Sequence, residues 1–114
     1  MLKTIVRAVN FKLTDPISQH INGKSIDLER FLKRFDTKAA ELRVEVGLPS
    51  RHHRSGEIFY AEINLKLPGK LLRAEEKHFE LSAALNTAFK DIETQVRKFK
   101  GKAIKQKPEK ISRL

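Results

Sequence analysis

Positive charge is concentrated near the end of the chain, in side chains that could bind phosphate groups. Between Arg97 and Arg113 there are eight Lys or Arg residues and one acid, Glu109, so this stretch carries +7 of the formal net charge of +10. A Lys or Arg placed beside a phosphate releases condensed counterions, which makes such a cluster typical of nucleic-acid binding. A solvated helix end is the alternative, but the excess of bases favours RNA contact. We predict that contact for Arg97, Lys98, Lys100 and Lys102.

Two further groups of basic residues are candidates for RNA contact. One lies on the first predicted helix, where Asp27 and Glu29 leave ordinary intrahelical ion pairing as the alternative. The other lies in the loop from Gly47 to Gly56, where His and Arg side chains can hydrogen-bond phosphates and stack on unpaired bases. For the loop, a surface segment without a binding role is the alternative. The two groups are Lys24, Arg30, Lys33 and Arg34 on the helix, and Arg51, His52, His53 and Arg54 in the loop.

Metal and catalytic sites have little support in the sequence. The chain has no Cys, so it offers no disulfide framework, thiolate zinc site or thiol nucleophile. Beyond the loop histidines only His20 and His78 remain, which gives no zinc site at workable spacing. There is no nucleophile-elbow sequence, no phosphate-cradling glycine loop and no Gly-Gly-Gln tripeptide. We therefore predict a protein that is not an enzyme and that uses no metal, cofactor or small-molecule substrate.

The N-terminal part of the chain is predicted to form a strand and an amphipathic helix. Residues 2–13 are rich in β-branched and apolar side chains. They are followed by Asp15, which can cap a helix, and Pro16, which fits its first turn. Apolar residues then recur at helical spacing, and the helix should end near Asp36. Asn22-Gly23 favours turns, so a break within this helix is one alternative.

Three strands and a long helix are predicted in the remainder of the chain. Apolar and polar residues alternate over 42–46 and 59–67, the pattern of strands with one buried and one wet face. Pro68-Gly69 supplies a tight turn into a short fourth strand over 70–75. The last helix carries an apolar residue every three or four positions from Leu81 to Phe99.

The order of elements, β-α-β-β-β-α, predicts a two-layer α+β sandwich, in which a four-stranded sheet has two helices packed on one face. With 114 residues and 39% hydrophobic content, the chain suits one compact domain, predicted over residues 1–101. Residues 102–114 are rich in lysine and have little periodicity, so we expect a flexible basic tail. No apolar run approaches membrane-spanning length and the N-terminal region is too charged for a signal peptide, which together predict a cytoplasmic protein.

Four segments carry a resemblance to a known family: VRAVNFKLTDPI at 6–17, LERF at 28–31, AEINLKLPGKLLRAEE at 61–76 and LSAALNTAFKDIETQVRKFKGK at 81–102. Over nearly its whole length the chain resembles the ribosome hibernation-promoting factors, also called ribosome-associated inhibitors or sigma modulation proteins. The resemblance implies a small, non-catalytic protein that docks in the decoding region of the small ribosomal subunit, between head and body. There it would exclude messenger and transfer RNA.

The chain departs from the family pattern in the middle of the last helix. Many relatives have an Asp-Lys pair followed by an Arg, where this chain has Lys90-Asp91 and Thr94, whereas Lys98 falls on a basic family position. Lys90 and Arg97 are seven residues apart, nearly on one helix face, and could take over the displaced contacts. Long-form relatives also carry a C-terminal domain that pairs two ribosomes. The residues after Gly101 are too few for such a domain, so the resemblance implies a short form.

Together these observations predict a ribosome-binding translation inhibitor that is monomeric when free. Its expected partner is the 16S-type rRNA of the small ribosomal subunit, and its expected mechanism is steric occlusion of an RNA channel. One alternative is a general binder of structured or double-stranded RNA, which would recognise any long duplex by its shape. The other is a basic protein-interaction domain, which would use the helices or the tail to bind an acidic protein. A membrane partner is disfavoured because the tail has few bulky apolar residues to insert.

Overall fold

The computed structural model describes residues 2–35, 41–48 and 58–105, which form four strands and two helices in the predicted order. The elements are β1 (Thr4–Val9), α1 (Asp15–Arg34), β2 (Glu41–Gly47), β3 (Phe59–Leu67), β4 (Lys70–His78) and α2 (Leu81–Lys105). The fold is α+β, which confirms the prediction. Neither of the described helices is long and apolar enough to cross a lipid bilayer.

The four strands form one mixed sheet in the order β1-β2-β3-β4. β1 and β2 are parallel, whereas β3 is antiparallel to both β2 and β4. A parallel pair needs a crossover connection, and α1 lies in the connection between β1 and β2. Between β3 and β4 the tight turn contains Gly69, whose φ of +75° favours glycine. As a result β4 runs in the same direction as β1 and β2.

One face of the sheet carries the apolar core, and both helices cover that face. The buried strand residues occupy alternate positions, as in β2, where Leu42, Val44 and Val46 are at most 1% exposed. On α2 the buried residues recur at helical spacing, and Leu85 and Ile92 are fully buried. Full burial of an aliphatic side chain of this size contributes about 1.5–3 kcal/mol. The predicted two-layer sandwich is confirmed.

The opposite face of the sheet, which we call the open face, is polar, and its charged side chains pair with one another. Tyr60 is 9% exposed, and its hydroxyl donates a hydrogen bond of 2.6 Å to a carboxylate oxygen of Glu45 on β2. Arg73 on β4 pairs with Glu62 on β3 at 2.7 Å. These contacts join neighbouring strands on the side of the sheet opposite the two described helices.

The first strand and the start of the first helix differ from the sequence prediction. β1 ends at Val9 and does not continue to residue 13, because Asn10 adopts a φ of 63° that is incompatible with a strand. Thr14, not Asp15, caps α1, since its side-chain oxygen accepts a hydrogen bond from the backbone N–H of Ile17. Asp15 instead provides the acidic residue of the first turn, where the helix dipole favours it.

The structure also shows the continuity of α1 and the ends of β4 and α2. α1 is continuous through Asn22-Gly23, so the helix is not broken there, and the burial of Ile21 and Ser25 on either side offsets the low helix propensity of glycine. β4 extends beyond residue 75, because its pairing with β3 continues as far as His78. α2 continues past the expected domain end at residue 101 to Lys105. The expected end of α1 near Asp36 and residues 106–114 of the predicted tail lie outside the described residues.

Gly47 and Gly23 offer a matched pair of glycine-to-alanine substitutions. A Cβ added at Gly47 would lie 2.4 Å from the backbone oxygen of Val9 on the neighbouring strand, whereas one added at Gly23 would meet no atom within 4 Å. We expect Gly47→Ala to lower the free energy of unfolding by about 1–3 kcal/mol, because the backbone of β1 would have to move. Gly23→Ala should raise the free energy of unfolding by up to about 1 kcal/mol. Urea denaturation measures the change in the free energy of unfolding for each variant. A change of the same sign in both variants would show that close packing against Val9 does not distinguish Gly47 from Gly23.

Tyr60 should ionise at unusually high pH. Burial, together with the hydrogen bond to Glu45, raises the pKa of Tyr60 from 10.0 to about 12. Since the folded-state pKa is the higher one, the associated stability is complete below about pH 10 and is lost as the pH rises towards 12. The chain has one tyrosine and no tryptophan, so phenolate absorbance reports on this residue alone. Spectrophotometric titration should give a midpoint near pH 12 for the native protein and near pH 10 in urea. A native midpoint equal to that in urea would show that Tyr60 is not protected in this way.

Candidate nucleic-acid interface

The two helices lie side by side, and the contacts between them show that they run parallel. His20 on α1 donates a hydrogen bond from Nε2 to Oδ1 of Asn86 on α2, over 2.8 Å. Further along both helices, Cζ of Arg97 lies 5.1 Å from the centre of the Phe31 ring. In both pairs the residue on α2 follows the residue on α1 by 66 positions in the chain. The two helices therefore stay in register along their length.

This register brings basic side chains of the two helices together. Lys24 follows His20 by one helical turn, and Lys90 follows Asn86 by one turn, so the two lysines lie opposite each other across the helix pair. Lys90 and Arg97 are exposed, and Lys24 is half-buried. We call the surface formed by Lys24, Lys90 and Arg97 the helix-pair surface.

The charge along the helix pair is not uniform. Asp27 and Glu93 are also separated by 66 positions, so they lie opposite each other, between the two lysines and Arg97. One turn beyond Arg97, Arg34 lies opposite Lys100. Positive side chains thus outnumber carboxylates in this row, and they are densest towards the C-terminal ends of the helices. Such a row suits a polyanion that runs along the helices.

Arg97 rests on an aromatic ring. Phe31 is 6% exposed, and its ring lies 5.0 Å from the ring of Phe35. A guanidinium over an aromatic face gains about 0.5–1 kcal/mol at an exposed site. A contact with an aromatic ring satisfies none of the guanidinium N–H groups with an oxygen acceptor, so these donors are left for an acceptor such as phosphate. Arg97 is therefore positioned before any partner binds.

Lys98 lies on the other side of α2 from Arg97, towards the hairpin of β3 and β4. It lines a small hollow together with Lys70, which the sequence analysis did not single out. A turn sequence gives no signal of which helix it will approach, so only the tertiary structure reveals this pair. The other residues around the hollow are Leu72, Gln95 and Phe99.

The remaining basic residues predicted on α1 point in different directions. Arg30 and Arg34 are exposed and lie one turn apart on α1. Arg34 belongs to the row that lies opposite α2, and Arg30 directly precedes Phe31 in the chain. Lys33 is two positions after Phe31, on the solvent side of α1 and away from α2. Glu29 lies one turn before Lys33, which is the spacing of an intrahelical ion pair. For Lys33 the intrahelical alternative therefore stays open.

Some of the predicted contacts cannot be placed. Residues 51–54 of the loop lie outside the described part of the chain, and so does the side chain of Lys102, although its backbone belongs to α2. RNA contact from these residues stays a prediction. Within the described ranges, no group of three or more His, Cys, Asp or Glu side chains could hold a metal ion.

The residues that replace the family pattern on α2 have different roles. Oγ1 of Thr94 donates a hydrogen bond of 3.1 Å to the backbone oxygen of Lys90, so this hydroxyl is used within the helix. It cannot replace the long reach of an arginine towards phosphate. Lys90 and Arg97 share one face of α2, as their spacing predicted, and the contacts between the helices place that face towards α1. The structure thus provides two cations where the family pattern is displaced.

The open face of the sheet contrasts with the helix-pair surface. Its arginines have acidic neighbours: Arg43 pairs with Glu41, and Arg73 pairs with Glu62. The hydrogen bond from Arg43 is the main reason why the pKa of Glu41 is lowered from its usual value. Because these two arginines are paired with carboxylates, they add less attraction for a polyanion than the cations of the helices do.

Comparison with known proteins assigns the family. Residues 4–104 match the family described as Sigma 54 modulation protein / S30EA ribosomal protein. The chain belongs to this family. A ribosome hibernation promotion factor from Deinococcus radiodurans is 32% identical over 101 residues, which are 88% of this chain and 50% of that protein. Another from Staphylococcus aureus is 28% identical over 100 residues, 88% of this chain and 49% of that protein. The chain thus spans about half the length of these curated relatives.

Two solved structures have the same fold as this chain. The N-terminal domain of Thermus thermophilus Protein Y matches with a TM-score of 0.69 and 30% identity, over 87% of this chain and 99% of that one. A ribosomal subunit interface protein from Coxiella burnetii matches with a TM-score of 0.70 over 88% of this chain and 99% of that one. At 15% identity the second match supports the fold alone. The resemblance found in the sequence is confirmed at the level of family and fold.

Arg97 and Phe31 should be energetically coupled. A double-mutant cycle with Arg97→Gln, Phe31→Leu and the double variant isolates their interaction, because each single variant removes one partner of the stacked pair. We expect a coupling free energy of about 0.5–1 kcal/mol from urea denaturation of the four proteins. Additive effects of the two substitutions would mean that the contact contributes nothing to stability.

Proposed function

We propose that this protein binds the small ribosomal subunit through its rRNA and inhibits translation, with the helix-pair surface as a principal contact. Membership of the family supports association with the ribosome, since the relatives are hibernation promotion factors. The observation that carries the choice of surface is the stacking of Arg97 on Phe31. This contact joins the basic faces of two helices into one positively charged surface.

The proposed mechanism is steric occlusion. The protein would occupy the decoding region of the subunit and exclude messenger and transfer RNA, with no chemical step and no cofactor. A preformed fold suits this role, because helices and sheet that already share one core lose little conformational entropy on binding. We further propose that the protein acts in the cytoplasm and is a monomer when free.

Attachment would depend chiefly on phosphates. Each phosphate neutralised by Lys or Arg releases counterions, so affinity should fall steeply as salt concentration rises. The side chains beyond the helix-pair surface that we propose to contribute are Arg30, Arg34, Lys98 and Lys100, with the loop residues and Lys102 as further candidates. Lys98 would act from the hairpin side of α2, where Lys70 accompanies it.

Removal of the three cations of the helix-pair surface should weaken binding. The triple variant Lys24→Gln, Lys90→Gln and Arg97→Gln should lose at least about 10-fold in affinity at moderate salt, because three phosphate contacts disappear. The slope of log affinity against log salt concentration should fall by about two to three. Sedimentation with purified small subunits across a salt series measures both quantities, and circular dichroism checks that the variant is folded.

The matched control removes the same charge from the open face, with Arg7→Gln, Lys66→Gln and Lys77→Gln. Binding by this variant should stay close to that of the wild type. Equal losses in the two variants would show that net charge, not the helix-pair surface, governs attachment. Excess duplex RNA as competitor tests the alternative of a general double-stranded RNA binder. If the protein stays bound to the subunit in the presence of the duplex RNA, the proposal is supported. If the protein moves from the subunit to the duplex RNA, the proposal is contradicted.

A further inference from the structure

Phe79 is an exposed aromatic residue that neither the core nor the helix-pair surface explains. It follows β4 directly and precedes α2, and it is 68% exposed, the highest value for a large apolar side chain among the described residues. A single exposed apolar side chain is common on protein surfaces. This one stands out because a hydrogen bond closes the turn that carries it and its ring lies next to the ring of His78.

The residues on either side of Phe79 fix its position. Nδ1 of His78 accepts a hydrogen bond of 3.0 Å from the backbone N–H of Glu80, which closes the turn around Phe79. The His78 ring lies 6.3 Å from the Phe79 ring, with an angle of 75° between the ring planes. His78 is in turn paired with Phe59 at the end of the sheet. An aromatic ring that is ordered before binding loses little entropy when a partner contacts it.

We propose that Phe79 stacks on an unpaired base of the RNA, an inference that rests on the proposed function. Bases have π-faces, so an aromatic ring can stack on any of them. The flanking charges of Lys77 and Glu80 are opposite, so this place has no local excess of positive charge to hold a phosphate. What it offers a partner is the ring itself.

An RNA base fits Phe79 better than an apolar protein surface does. Among the described residues, the other exposed large apolar side chains are on β1, on α1 and at the start of β4, so within this part of the chain the ring does not belong to a broad apolar patch of the kind that marks protein interfaces. The chain carries a formal charge of +10, which attracts a polyanion. Lys90, on the helix-pair surface, lies about 14 Å along α2 from Leu81, the first helical residue after the turn of Phe79, at the helical rise of about 1.5 Å per residue. One RNA strand can therefore reach both places.

A tryptophan placed at this position tests the proposal directly. The chain has no tryptophan, so Phe79→Trp introduces a single fluorophore, and Leu71→Trp is the matched control because Leu71 is 62% exposed on the open face. Titration with purified small subunits should quench the emission of Phe79→Trp by base stacking and leave Leu71→Trp unquenched apart from light absorption by the subunit. In addition, Phe79→Ala should weaken binding by about 5- to 100-fold without a change in salt slope, whereas Phe79→Tyr should bind like the wild type.

The outcomes separate this inference from the proposed function. If the variants sediment with the subunit but Phe79→Trp is not quenched, the stacking contact is wrong and the ribosome-binding proposal stands. A blue shift of the emission without quenching would indicate burial against a ribosomal protein, which also overturns the base contact. If the wild-type protein itself fails to sediment with the subunit, the proposed function fails and the stacking inference falls with it.

Discussion

The structure depends on the burial of one face of a mixed sheet beneath two helices. Residues such as Leu65 on β3 and Ile92 on α2 are completely buried, and the apolar side chains of strands and helices belong to a single core. The two described helices cover one sheet face, so the charged side chains of the other face need partners of their own. Charges on that face pair with one another, and the hydroxyl of Tyr60 donates a hydrogen bond to Glu45. The outer sides of the helices are then left for a partner.

The topology of the sheet also determines how the charges on the helices add up. β1 and β4 run in the same direction, and each is followed by a helix that returns across the same face, so α1 and α2 are parallel. Parallel helices place both C-terminal ends, with their partial negative charge, at one end of the molecule. Arg34 is the last residue of α1, where the helix dipole favours a cation, and Arg97 and Lys100 lie in the C-terminal half of α2. The aromatic turn at Phe79 belongs to the opposite end, at the start of α2.

A contact between α2 and the edge of the sheet completes this frame. Nε2 of Gln95 donates a hydrogen bond of 2.7 Å to the backbone oxygen of Arg73 on β4, which is the last strand of the sheet. Free strand edges invite pairing with other chains, and the bond from Gln95 occupies one of the groups that would take part. It also fixes α2 close to the hairpin, which explains how Lys98 comes to lie near Lys70. Gln95 thus occupies one hydrogen-bonding group at the edge of β4 and helps to position Lys98.

The sequence by itself determined the order of the elements, the α+β class and the identity of the core, because hydrophobic periods of two and of about 3.6 residues are local properties. It also placed Lys90 and Arg97 on one face of α2, since both lie on the same helix. It misplaced the cap of α1, which Thr14 provides, and the end of β4, because strand length depends on how far the neighbouring strand continues to pair. The contact of Arg97 with Phe31, the placement of Lys24 opposite Lys90 and the approach of Lys98 to Lys70 were decided only by the tertiary structure. Each of these joins residues far apart in the chain, and their distance depends on how the helices pack, which no local pattern encodes.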